Sequence, residues 1–132
     1  LLQDLLKISK NKFYLFIEIK PLFSKKLLQK LLRETSNYKK CVFISFKHKN
    51  IFDLVKLNRK TKVGLSFSPP SSIKSIIQKS KNKNINCIIL DKFYMKNKTI
   101  RELKIEKYYY TIKNRSEFKK YKRENNLIFE NL

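Results

Sequence analysis

The sequence predicts an α/β fold in which short parallel strands alternate with single helices. Six short apolar runs recur along the 132 residues, and segments with helical periodicity separate them. Strands separated by single helices usually pair in parallel through right-handed crossovers. No linker or change of composition divides the chain, so we expect one domain over residues 1–132. Serial β/α units fit either a doubly wound sheet or consecutive strands of a (β/α) barrel, and periodicity does not choose between them.

The sequence of the first half of the chain predicts three helices and two strands. Leucines recur at helical spacing near the start of the chain and again after Ser24, whose side chain is suited to cap a helix. The runs FYLFIEI and CVFIS have the length and the bulky apolar content of strands. The predicted elements are a helix over 2–8, a strand over 13–19, a helix over 24–34, a strand over 41–45 and a helix that Asn50 caps.

The second half of the chain repeats the alternation of strand and helix. An SPPSS turn follows the run KVGLSF, and isoleucines at helical spacing come after it. Thr99 and Glu102 have the spacing of a capping box. The near-continuous apolar character of the strands predicts burial on both faces. The predicted elements are strands over 62–67, 86–90, 108–112 and 127–129, and helices from Ile73, near Thr99 and from about 115 to 124.

The strong positive charge raises the possibility of a polyanionic partner. The chain has 32 Lys and Arg against 10 Asp and Glu, a net charge of +22. The lysines are spread along the chain and form no single block, which favours a solvated surface over a dedicated nucleic-acid site. We therefore expect no specific nucleic-acid partner. Phosphate-bearing ligands are nevertheless attracted to such a surface.

The sequence indicates a cytoplasmic protein without a membrane segment. Cys41 and Cys87 each open an apolar run, which is typical of reduced, buried thiols. No apolar run reaches the roughly 20 residues of a membrane helix, and the opening leucines lack the pattern of a signal peptide. Because the chain begins at Leu1, we expect it to be part of a longer protein or a processed product.

Glu18 and Lys20 are the unusual residues of the first strand. Side chains alternate between the two faces of a strand, so these two share one face with Phe16. If the opposite face packs on helices, the carboxylate and the ammonium point into a barrel at the carboxyl end of a strand, where catalytic groups lie in such barrels. A carboxylate there can bind a divalent cation and an ammonium can stabilise a phosphate oxygen. A simple ion pair at the strand end is the alternative.

The order of several short motifs resembles the glycerophosphodiester phosphodiesterase family. FIEIK is similar to the Glu-x-Lys that closes an early strand in that family, and CVFISF is similar to its strand that ends in Ser-Phe. YYYTIKN resembles the family's late Trp-Thr-Val-Asn strand, and LIFENL resembles its final Ile-Ile-Thr-Asp stretch. These motifs span nearly the whole chain. Each motif is short, so the resemblance depends on their order and spacing.

The resemblance implies a fold, a reaction and four site residues. The fold is a partial (β/α) barrel made of roughly the five to six C-terminal β/α units of the domain, with parallel strands. The reaction is metal-dependent hydrolysis of a glycerophosphodiester to glycerol 3-phosphate and an alcohol, a step of lipid metabolism. Glu18 is expected to bind the divalent metal, Mg²⁺ or Ca²⁺, and substrate contacts are expected from Lys20, Ser45 and Tyr110.

The chain also departs from the family pattern. Tyr110 stands where the family has Trp, Lys113 where it has Asn, and Glu130-Asn131 where it has Thr-Asp. The family's N-terminal portion, with its His-Arg-Gly strand, its Glu-x-Asp pair and its two acid–base histidines, has no counterpart here. His48, the single histidine, is expected in an exposed loop and does not replace them. We therefore expect no acid–base catalyst in this chain and no activity from the chain alone.

Two other functions remain compatible with the sequence. A basic nucleic-acid-binding protein, such as a ribosomal protein, is favoured by the charge and by aromatic residues that could stack on bases. Against it, the aromatic residues lie within predicted strands and not on an exposed lysine-rich face. The other alternative is a non-catalytic module that keeps the phosphodiesterase fold.

Overall fold

A computed structural model describes residues 1–123 and 126–130 of the chain. The chain divides into two compact units, Leu1–Gly64 and Leu65–Leu132. The predicted alternation of strands and helices is confirmed, and the six strands follow one another in the sheet in the order of the sequence.

The first unit contains three helices and two complete strands. Its strands pair in parallel, with Leu15 opposite Cys41 and Glu18 opposite Ile44. A third strand begins at the end of this unit, where the amide of Phe43 donates to the carbonyl of Lys62 at 3.0 Å. The elements are α1 (Leu2–Ser9), β1 (Leu15–Glu18), α2 (Lys25–Glu34), β2 (Cys41–Ser45), α3 (His48–Leu57) and the start of β3 (Val63–Phe67).

Helix α2 begins where the sequence predicts. The Ser24 hydroxyl accepts a hydrogen bond from the amide of Leu27 at 3.3 Å, which satisfies a donor that the first turn leaves without an intrahelical partner. Leu28 and Leu31 are buried on the apolar face. At the other end, the Thr35 hydroxyl donates to the carbonyl of Leu31 at 2.9 Å. The local signals in the sequence therefore fix both the start and the orientation of this helix.

Strand β1 is shorter and more exposed than predicted. It spans Leu15–Glu18, and the preceding aromatic residues are exposed, Phe13 at 66% and Tyr14 at 58%. Burial alternates along the strand between half-buried and exposed side chains. The prediction of burial on both faces is confirmed for β2 and β3, in which every residue is buried. It is wrong for β1 and for the last two strands of the chain, in which most residues are half-buried or exposed. β1 stands at the end of the strand order, so it has one neighbour where β2 and β3 have two.

The start of helix α3 differs from the prediction. The helix begins at His48, and no side chain caps it, so the prediction that Asn50 is the cap is wrong. Asn50 lies in the first turn of the helix and is completely buried. Its side-chain amide group bonds to the backbone of Pro21 and Phe23 and is therefore not available as a cap. The prediction that His48 lies in an exposed loop is also wrong, since this residue is helical and partly buried.

The second unit completes β3 and adds three strands. β4 pairs in parallel with β5, and β5 pairs in parallel with β6. Its largest fully buried side chains include Tyr94 and Tyr109 together with isoleucines of β4 and β5. After β3, the elements are α4 (Ile73–Ser80), β4 (Cys87–Asp91), a 3₁₀ turn (Lys92–Lys96), α5 (Lys98–Arg101), β5 (Glu106–Ile112), α6 (Arg115–Tyr121) and β6 (Asn126–Phe129).

The helices of the second unit are capped by polar side chains. Ser72 caps α4 by accepting from the amide of Ser75, and Asn114 caps α6 by accepting from the amide of Glu117. The prediction that Thr99 and Glu102 form a capping box is wrong, because Asn97 caps α5 through the amide of Ile100 at 3.0 Å. Helix α6 ends at Tyr121, and the predicted end at position 124 lies outside the described residues, as does Asn131.

The helices of this chain are short. Among the described residues, none is long and apolar enough to cross a membrane. The two cysteines are free and buried, as predicted.

Candidate functional site

Glu18 and Lys20 lie at the carboxyl end of β1. Both side chains are exposed, whereas Ile19 between them is 2% exposed. Within β1, alternation places the Glu18 carboxylate on the same side of the backbone as Phe16. That the Lys20 ammonium shares this side stays a prediction. Strand β1 ends at Glu18, so Lys20 belongs to the irregular segment that leads to α2.

The Ser45 hydroxyl holds the backbone between Glu18 and Lys20. Ser45 is the last residue of β2 and is completely buried. Its hydroxyl donates to the carbonyl of Ile19 at 2.6 Å and accepts from the amide of Lys47 at 3.0 Å. The amide of Ile19 in turn donates to the carbonyl of Ile44 at 2.9 Å. The hydroxyl that the family resemblance assigns to substrate binding therefore already has protein partners.

Asn50 extends this network to the residues that follow Lys20. Its Nδ2 donates to the carbonyl of Pro21 at 2.8 Å and lies 3.3 Å from the Ser45 hydroxyl. Its Oδ1 accepts from the amide of Phe23 at 2.9 Å. One buried amide group thus fixes two points of a segment that is neither helix nor strand.

Glu18 does not form a metal site by itself. Divalent cations such as Mg²⁺ and Ca²⁺ need several oxygen ligands. Over residues 1–123 and 126–130, no three His, Cys, Asp or Glu side chains lie close enough together to hold a metal ion. The described residues therefore do not give Glu18 enough neighbouring ligands to hold such a cation, and further ligands are required.

In the second unit, Tyr110 binds the end of β3. Its hydroxyl donates to the carbonyl of Phe67, the last residue of that strand, at 2.6 Å. Burial raises the pKa of Tyr110 to about 12, and the nearby Asp91 and Tyr94 add to the rise. The phenol therefore stays protonated at neutral pH and acts as a hydrogen-bond donor. Its direct contact with a substrate, which the resemblance implies, stays a prediction.

Tyr94 anchors the loop that follows β3. Its hydroxyl lies 2.7 Å from the carbonyl oxygen of Pro69 and 2.6 Å from that of Ser71. The carbonyl of Ser68 is also within reach, at 3.2 Å. The ring is 2% exposed, and burial raises the pKa of the phenol. The SPPSS turn is therefore held by a side chain from the 3₁₀ turn after β4.

An ion pair joins the segment after β4 to helix α6. Lys92 Nζ lies 2.5 Å from Glu117 Oε1, and Glu117 Oε2 accepts from the amide of Lys113 at 3.1 Å. The hydrogen bond from Lys92 holds the pKa of the Glu117 carboxyl below its usual value. Asp91, at the end of β4, accepts from the amide of Phe93 at 2.8 Å. These charges organise loops at the carboxyl ends of β4 and β5.

Sequence reasoning missed Asn50, Asp91 and Tyr94. Asn50 stands four residues before Leu54 and one before Ile51, so it falls on the apolar stripe of α3. A polar residue on that stripe signals a buried amide with specific partners. Tyr94 carried no comparable signal, because its partners are backbone carbonyls of a distant loop.

The comparisons with known proteins identify the fold. No protein-family model and no curated protein matches the chain. The crystal structure of a glycerophosphodiester phosphodiesterase from Thermotoga maritima matches 97% of this chain with a TM-score of 0.74 and 17% identity. A glycerophosphodiester phosphodiesterase from Parabacteroides distasonis matches 97% of it with a TM-score of 0.68 and 14% identity.

These similarities bear on the fold. The chain spans 58% of the length of each of these two solved proteins. The predicted partial (β/α) barrel is thereby confirmed, and so is the resemblance that the motifs indicated. The chain has the fold of part of a glycerophosphodiester phosphodiesterase domain.

Proposed function

We propose that this chain is part of an enzyme that hydrolyses glycerophosphodiesters to glycerol 3-phosphate and an alcohol. The observation that carries the proposal is the pair of exposed side chains Glu18 and Lys20 at the carboxyl end of β1, in a chain with this fold. Catalytic groups of (β/α) barrels come from that end of the strands. A cytoplasmic location, as expected from the sequence, is part of the same proposal.

The roles follow from the charges of the two side chains. In the hydrolysis, water attacks phosphorus and the bond to the leaving alcohol oxygen breaks, while negative charge on the phosphoryl oxygens must be stabilised. The Lys20 ammonium is suited to bind one of those oxygens. Glu18 is one carboxylate for a divalent cation, Mg²⁺ or Ca²⁺, whose other ligands come from outside the described residues. Tyr110 is proposed as a wall of the substrate pocket.

The acid–base chemistry needs groups that this chain lacks. It has one histidine, His48, which lies in the first turn of α3 and is partly buried. One imidazole does not replace the two histidines that act as general acid and base in the family that the chain resembles. We therefore expect the 132-residue chain to release no glycerol 3-phosphate from glycerophosphocholine. Turnover at the rate of a complete enzyme would contradict this assignment.

The test of the pair uses a polypeptide in which this chain is joined to the segment that carries the catalytic histidines. Glu18→Gln and Lys20→Met should each lower kcat/KM for glycerophosphocholine by about 100-fold, the usual effect of removing one stabilising group. Glu34→Gln and Lys30→Met, which break an ion pair on α2, are the matched controls and should leave it within about twofold. Unchanged activity in Glu18→Gln and Lys20→Met would refute the proposed roles.

A further inference from the structure

We propose that Ser45 and Asn50 are positioning residues that fix the backbone bearing Glu18 and Lys20. This inference rests on the function proposed for that pair. It gives Ser45 a role different from direct substrate contact, because its hydroxyl hydrogen is donated to the carbonyl of Ile19 at 2.6 Å. It also gives a role to Asn50, which no sequence motif assigns to the site.

The first argument is that the segment after β1 has no regular structure to hold it. Residues 19–23 lie between the end of β1 and the cap of α2. Ser45 and Asn50 provide hydrogen-bond partners for the carbonyls of Ile19 and Pro21 and for the amide of Phe23. These three points flank Lys20 on both sides, so the path of the backbone there depends on two side chains.

The second argument is burial. Ser45 and Asn50 are both 0% exposed, and a buried polar group without a partner is costly. An alternative backbone path would leave a hydroxyl, an amide N–H or a carbonyl unpaired inside the protein. The network therefore favours one conformation of residues 19–23 over others. Ser45 and Asn50 also lie within hydrogen-bonding distance of each other, at 3.3 Å, so a change in one affects the other.

The third argument concerns precision at the site. A displacement of about 1 Å in a charged group is enough to lower a rate severely. Glu18 still has the ladder of β1 and β2 to hold it, since it is paired with Ile44. Lys20 lies beyond that ladder, so we expect its position to depend more strongly on Ser45 and Asn50.

Amide hydrogen exchange of the 132-residue chain, followed by NMR, tests the positioning role directly. In Asn50→Ala the amide of Phe23 loses its acceptor, and in Ser45→Ala the amide of Lys47 loses its acceptor. We expect each of these amides to exchange at least about tenfold faster than global destabilisation explains. The amide resonance of Lys20 should shift in both variants, and Ser45→Thr, which keeps the hydroxyl, should restore it.

Thr35→Val is the matched control, because it removes another buried hydroxyl of the same unit, one that bonds to Leu31. It should destabilise the fold without moving the resonances of residues 19–23. If Ser45→Ala, the milder of the two truncations, perturbs those resonances no more than Thr35→Val does, the positioning role is refuted.

A second measurement separates this inference from the proposed function. In the polypeptide that joins this chain to the segment with the remaining ligands, Mn²⁺ should broaden the amide signals of Glu18 and Lys20 selectively, and Ser45→Ala should raise the Mn²⁺ concentration needed for that effect by about tenfold. If the unmodified joined polypeptide shows no selective broadening, the metal role of Glu18 fails while the exchange result still decides the positioning role. If Ser45→Ala in the joined polypeptide broadens like the unmodified one, the network does not position the pair.

Discussion

At the scale of single residues, burial controls the chemistry of the two thiols. Cys41 is 8% exposed and Cys87 is 3% exposed. Burial raises the pKa of the Cys41 thiol to about 11, and burial together with the charge of Glu106 raises that of Cys87 to about 12. A thiol that stays protonated and covered is a poor nucleophile. We therefore assign both cysteines to the core and to no reaction.

The first prediction concerns the reactivity of these thiols. At pH 8 the folded chain should react with a disulfide reagent such as DTNB at least about 100-fold more slowly than the chain in guanidinium chloride, because the folded thiols are neutral and inaccessible. The rate of release of the coloured thiolate measures this difference. A free cysteine peptide under both conditions controls for the effect of denaturant. Equal rates for the folded and unfolded chain would show that Cys41 and Cys87, at the starts of β2 and β4, are accessible to the reagent in the folded chain.

The second prediction gives the sign of the pH dependence. A group whose folded pKa is raised stabilises the fold below its unfolded pKa, and that stabilisation is lost as pH rises through the folded pKa. For the cysteines the window extends from about 9 to about 11 or 12. Urea unfolding should therefore show a free energy that falls above pH 9. Cys41→Ala should show a smaller fall over the same range than the unmodified chain, and an equal fall would rule out this cause.

At the scale of elements, one tyrosine holds the loop between β3 and α4. The Tyr94 hydroxyl has one hydrogen and three carbonyl oxygens within 3.2 Å, from Ser68, Pro69 and Ser71. The two prolines of this loop restrict its backbone but leave the carbonyls in need of donors. The loop is therefore held by its proline content and by the distant side chain of Tyr94.

The third prediction removes that hydroxyl. Tyr94→Phe should lower the free energy of unfolding by about 1 kcal/mol, the usual net value of a hydrogen bond. Tyr121→Phe, on the partly exposed α6, is the matched control and should cost less than about 0.5 kcal/mol. Urea unfolding followed by circular dichroism measures both. Equal effects in the two variants would show that the three carbonyl contacts of Tyr94 contribute little.

The elements that sequence reasoning predicted well are those with strong local signals. Helix α2 has its capping serine and a leucine face, and β2 to β4 have uninterrupted apolar runs, so each was placed within one or two residues. The errors occurred where a distant partner decides the outcome. Asn50 could cap a helix by its residue type, but the carbonyl of Pro21 and the amide of Phe23 bind it instead. At the candidate site, Glu18 and Lys20 could be predicted from alternation, whereas the network beneath them could not.

At the scale of the whole molecule, the net charge of +22 requires an explanation compatible with the proposed function. A positive surface attracts phosphodiester substrates, but it also attracts nucleic acids without specificity. One expectation from the sequence needs correction here, since aromatic residues are not confined to strands. Tyr14 is 58% exposed, and the ammonium groups of Lys40 and Lys62 lie 5.7 and 5.4 Å from the centre of its ring.

The last prediction separates the phosphodiesterase proposal from a nucleic-acid function by using that aromatic residue. If the charge is a general surface property, single-stranded RNA should bind with a dissociation constant weaker than about 10⁻⁶ M at physiological salt and without sequence preference. Tyr14→Ala should then change the affinity by less than about twofold, and Tyr14→Phe, which keeps the ring, should behave in the same way. If a base stacks on this ring, Tyr14→Ala should instead weaken RNA binding roughly 5- to 150-fold, because loss of such a contact costs about 1–3 kcal/mol. Fluorescence anisotropy at several salt concentrations measures the dissociation constant and its change in each variant. Tight binding that Tyr14→Ala abolishes and Tyr14→Phe preserves would favour RNA recognition over phosphodiester hydrolysis.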